Sequence, residues 1–114
     1  MAVIARMNLK IVTDAAPPDM QPAVEFNGER LQLGELRGGI GPGEILEATL
    51  LPSRFAHSVL LVNPDDGIWS IRELAIRYVT GDEQAYDVSF GSIDVPGCSN
   101  LDIWRDPPGP VYVL

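Results

Sequence analysis

The feature that most limits what this chain can become is a period-two alternation of apolar and polar residues. It recurs in short stretches, and turn formers cut it off each time. In residues 3–11, Ala5, Met7, Leu9 and Ile11 fall on one side and Arg6, Asn8 and Lys10 on the other. Successive side chains of a strand point to opposite faces, so this spacing writes a half-buried strand. The same pattern returns in 44–51, where Leu46, Ala48 and Leu50 alternate with Glu47 and Thr49. It returns again in 86–90, where Tyr86, Val88 and Phe90 alternate with Asp87 and Ser89.

The punctuation comes from 11 glycines and 10 prolines in 114 residues. Prolines at 17, 18 and 22 make residues 14–22 a connection, since proline can sit neither in a helix interior nor in a central strand. Asn27–Gly28 between two short apolar arms predicts a two-residue hairpin, because both residues accept positive φ. Residues 34–43 (GELRGGIGPG) read as a bent crossover loop. Their spacing matches neither GxGxxG nor GxxxxGK[ST], so no phosphate loop is expected. The apolar run 55–63 reads as a central strand covered on both sides, and Pro64, Asp65, Asp66 and Gly67 as a turn.

Residues 68–79 carry two spacings at once. Ile68, Ile71, Leu74, Ala75 and Tyr78 recur as on a helix, whereas Leu74, Ile76 and Tyr78 alternate as in a strand. β-Branched and aromatic content decides for a strand. After a turn at 80–83, residues 86–90 return as its hairpin partner, with Ile93 and Val95 extending that strand past Gly91 through a bulge. A turn at 96–100, a short strand at 101–104 and the breaker DPPGP follow. Eight or nine short strands with frequent turns predict one all-β domain over 1–114. The expected form is a small antiparallel sandwich of jelly-roll or Greek-key type, or a small barrel.

Composition narrows the chemistry. Sixteen acidic residues against eight basic ones give a net charge of −8, so the chain lacks the basic footprint a nucleic-acid binder needs. Seven of the bases are arginine, the side chain suited to fixed pairs with carboxylates. One cysteine and one histidine allow neither an internal disulfide nor a Cys/His metal cage. The apolar start is broken by Arg6, Asn8 and Lys10, which is not a signal peptide. No apolar run is long enough to span a membrane, and a soluble, cytoplasmic protein is expected.

The candidate sites are few. His57 would lie on one face with Val59 and Leu61, which suits a partly buried structural histidine more than a catalytic base. No GxSxG elbow accompanies Ser58. Cys98 sits in a turn with no lysine or histidine beside it in sequence to lower its pKa. Asp65, Asp66, Asp82, Asp94, Asp102 and Asp106 fall in or beside turns. Loops gather at the ends of a sandwich, so these acids are candidates to converge on Ca²⁺, although turns hold aspartate for capping alone. Trp69 and Trp104 are candidate stacking platforms for a sugar, against ordinary core packing. The apolar ending Val111, Tyr112, Val113 and Leu114 is expected as an edge strand or a subunit contact. The leading expectation is a non-enzymatic β module that acts through protein surfaces, in a homo-oligomer or a larger assembly, without a cofactor. The alternatives are a carbohydrate-binding module, Ca²⁺-dependent or not, and a small enzyme using carboxylates or His57.

Overall fold

The computed structural model describes residues 3–17, 20–31 and 34–105, with the backbone alone for 34–36. In chain order the strands are β1 (Val3–Ala15), β2 (Ala23–Phe26), β3 (Glu29–Leu31), β4 (Gly34–Gly38), β5 (Ile45–Leu50), β6 (Arg54–Phe55), β7 (Val59–Asn63), β8 (Trp69–Thr80), β9 (Ala85–Phe90), β10 (Ile93–Val95) and β11 (Ser99–Asp102). They form two antiparallel sheets packed as a sandwich. The larger sheet has seven strands built on β1 and β8, which pair along nearly their whole lengths. The smaller has the order β11-β7-β2-β3. No helix among the described residues is long and apolar enough to cross a membrane.

The all-β reading is correct, and the strand reading of 68–79 is too: β8 is hydrogen-bonded to β1 on one side and to β9 and β10 on the other. Its misleading helical spacing has a local cause. Arg72 is an extra residue between the Glu73 and Ile71 pairings with β1, so Arg72 and Glu73 are both exposed, and Ile71 and Leu74 turn inward three residues apart. The bulge expected at Gly91 is not there. The register of β9 with β8 continues unchanged into β10, and Gly91 and Ser92 merely interrupt the edge.

Three other segments depart from their sequence reading. Residues 34–38 form an edge strand on β5 rather than a loop. Gly38 has φ +79°, and a Cβ there would collide with the Ile45 carbonyl, so glycine lets this edge approach its neighbour. Residues 55–63 are not one strand. Phe55 ends β6, paired with Val3, and β7 begins only at Val59. The break is enforced from outside. Asn27, at φ 53° in the β2–β3 hairpin, accepts hydrogen bonds from the amides of His57 (2.9 Å) and Ser58 (3.2 Å) and donates to the Phe55 carbonyl (2.6 Å). The short strand expected at 101–104 is Ser99–Asp102, two residues earlier.

The core follows from the alternation. Met7, Leu9 and Ile11 of β1 and Leu74, Ile76 and Tyr78 of β8 turn toward Val24 and Phe26 of β2 and Val59 and Leu61 of β7. All ten are buried in one cluster. Burying each large side chain stabilises by about 1.5–3 kcal/mol, which makes this shared face the main source of cohesion.

Candidate functional site

The acids expected to converge are dispersed. Asp65 and Asp66 lie in the turn before β8, and Asp82 in the turn after it, so the 12 residues of β8 separate them by about 40 Å. Asp94 is exposed in β10, and Asp102 in β11 accepts the Trp104 amide at 3.0 Å. Among the described residues no group of three or more His, Cys, Asp or Glu side chains could hold a metal ion. Asp106 lies outside the described residues, as do Val111, Tyr112, Val113 and Leu114. Local bonds explain several of the turn acids. The Thr80 hydroxyl donates to Asp82 and holds its carboxyl below the usual range. The Asp65 carboxylate accepts the Gly67 amide at 3.1 Å.

The turn at Asp65 and Asp66 is tied to the 96–98 turn by Asn63, which is fully buried. Its amide donates to the carbonyls of Gly67 (2.9 Å) and Val95 (3.1 Å), and its oxygen accepts the Asp65 amide (3.2 Å). Cys98 joins the same knot: its thiol donates to Asp66 at 3.3 Å. That bond, partial desolvation and the charges of Asp66 and Asp65 push the thiol pKa up. A thiol held protonated beside two carboxylates is a poor nucleophile, the opposite of what Cys catalysis requires.

The remaining single-residue candidates also take structural or peripheral places. Trp69 is fully buried, its indole N–H donating to Thr13 at 3.1 Å, so it has no face to offer a ligand. Trp104 is half-buried and stands edge-on to Tyr78, with ring centroids 5.3 Å apart. His57 is exposed in the bend between β6 and β7, contrary to the expectation of partial burial. Among the described residues its imidazole has no hydrogen-bond partner, and no Ser–His–Asp arrangement forms.

Two surfaces stand out instead. One is the outer face of the larger sheet, a hollow of about 620 Å³ lined across five strands by polar side chains. The antiparallel register lines them up in rows. Arg37, Glu47, Lys10, Ala75 and Ser89 form one row, and Thr49, Asn8, Arg77 and Asp87 the next. Arg77 grips Asp87 with two bonds of 2.8 and 3.2 Å, which lowers the carboxyl pKa and raises that of the guanidinium. Thr49 donates to Asn8 at 3.1 Å. Sequence alternation marks these residues as polar, but only strand order shows that they share one floor.

The other surface is the edge at β9, which among the described elements pairs with β8 alone. Val88 and Phe90 face inward there but stay half-buried. The chain arrives beside this edge after β11. The Arg105 carbonyl accepts the Tyr86 hydroxyl at 3.0 Å, and its guanidinium lies 5.3 Å from the centre of the Phe90 ring. Comparison of the chain with family models, curated proteins and solved structures returned no match.

Proposed function

We propose that this chain is a non-enzymatic β-sandwich module acting through protein surfaces, as a subunit of a homo-oligomer or an accessory component of a larger assembly. In this reading the β9 edge and residues 111–114 make the contact. The observation that carries it is the β9 edge, which among the described strands pairs with β8 alone. An edge strand offers a row of backbone donors and acceptors, and here it also offers the half-buried side chains of Val88 and Phe90. The apolar ending begins six residues beyond Arg105, which lies against that edge. A strand added beside Val88 and Phe90 would pair with the edge backbone and bury apolar surface in one step.

Removing residues 111–114 tests the proposal. Light scattering over a concentration series is expected to show an oligomer for the full chain and a monomer for the shortened one, with unchanged circular dichroism. A full chain that stays monomeric, or a shortened chain of undiminished mass, overturns it.

A further inference from the structure

We propose that the concave outer face of the larger sheet binds an acidic polypeptide segment, with Lys10 and Arg37 taking its carboxylates. Charge distribution is the first support. The chain has sixteen acids and eight bases, yet five of the bases, Arg6, Lys10, Arg37, Arg72 and Arg77, stand on this face beside five described acids, Asp14, Glu47, Glu73, Asp87 and Asp94. The other described side chains include Arg30, Arg54 and Arg105 against eight acids. An acidic partner is repelled by most of the molecule and admitted here.

Pairing is the second. Arg77 is engaged with Asp87 and Arg72 with Asp14, while Arg30, Arg54 and Arg105 each lie against an acid of their own. Lys10 and Arg37 are exposed and make no hydrogen bond or ion pair with any described residue, and one carboxylate, Glu47, stands in register between them. Two cations are thus available where one acid is.

Shape is the third. The floor between the charged side chains is made of the short Asn8, Thr49, Ala75 and Ser89, which leaves room for an extended backbone. Among the described residues no aromatic ring lines the hollow, which favours carboxylate recognition over stacking on a sugar ring. Lys10 on β1 and Arg37 on β4 are two strand spacings apart, about 10 Å. On a peptide in the polyproline II conformation, with three residues per turn, carboxylates three residues apart face the same way about 9 Å from each other.

The test is an anisotropy titration of the full chain with a labelled ten-residue peptide bearing Glu-x-x-Glu repeats. Binding is expected at low salt and should weaken about tenfold or more at high salt. Lys10→Glu/Arg37→Glu should lose about tenfold or more, with Lys10→Gln/Arg37→Gln intermediate and Arg30→Gln unchanged. Thermal melts of the variants report whether they fold, and both substituted side chains are exposed. The chain lacking residues 111–114 should bind as the full chain does, which separates this proposal from the β9 contact. Absence of peptide binding at low salt overturns the proposal, as does a folded Lys10→Glu/Arg37→Glu variant that binds normally. Polygalacturonate binding that depends on the same two residues, without peptide binding, overturns it too and reassigns the face to an acidic polysaccharide.

Discussion

Tyr78 shows how much a single side chain does in this sandwich. It is fully buried, stacks on Tyr86 with centroids 5.2 Å apart, meets Trp104 edge-on, and donates its hydroxyl to the Ile103 carbonyl at 2.6 Å. The phenol therefore pins the segment after β11 to the larger sheet. Burial pushes its pKa well above the ordinary value. The protonated form is the one the fold accommodates, so the associated stability is present below the unfolded value of about 10 and is lost as pH rises beyond it. Tyr78→Phe keeps the ring but strands a carbonyl. It is expected to cost about 1–2 kcal/mol in a urea melt and to soften the alkaline loss of stability. The sequence marks Tyr78 as inward-facing by alternation. Its partner at Ile103 depends on the crossing of two sheets, which no local pattern encodes.

The elements are set by turns and by what presses on them. The Asn27–Gly28 hairpin was legible because both residues accept positive φ, here 53° and 85°. That Asn27 also breaks the apolar run 55–63 was not legible, since the bonds it makes there join segments some thirty residues apart. The glycines divide in the same way. At Gly97 a Cβ would collide with the Asp66 carbonyl, because the amide of the next residue, Cys98, bonds to the Asp65 carbonyl at 2.7 Å and draws the two turns together. At Gly91 a Cβ would meet nothing within 4 Å. Gly97→Ala is accordingly expected to lose about 1–3 kcal/mol by prying the turns apart, and Gly91→Ala to stay within about 0.5 kcal/mol of the parent. Equal losses in paired denaturation curves would contradict this account.

At the scale of the whole molecule, the two longest strands are also the most distant partners. Ile11 of β1 pairs with Leu74 of β8, roughly sixty residues on. Loop-closure entropy must be overcome before that ladder and the core beneath it contribute anything. Stopped-flow refolding is therefore expected in the millisecond-to-second range typical of non-local β topologies, and a dominant submillisecond phase would argue against it. The same pairing gives the molecule its two faces. Inward residues of β1 and β8 meet the smaller sheet, and outward ones join β4, β5 and β9 in a polar floor.

The class of the fold was written in the sequence, because strand alternation and turn chemistry are local and survive without knowledge of partners. The positions of most turns, and the inward Met7, Leu9 and Ile11 of β1, Leu74, Ile76 and Tyr78 of β8 and Val88 and Phe90 of β9, follow from the same local rules. A register shift in β1, by contrast, turns Ile4 inward in place of the expected Ala5. Strand order and register were decided only in three dimensions, and with them everything about sites. They hold Asp65 and Asp66 far from Asp82, bury Trp69 and set Cys98 against a carboxylate. They also bring Lys10 and Arg37, on strands that are not neighbours, onto one floor. Alternation tells each residue which way to face, but which residues share that face depends on which strands lie side by side, and that is settled by packing the whole core at once.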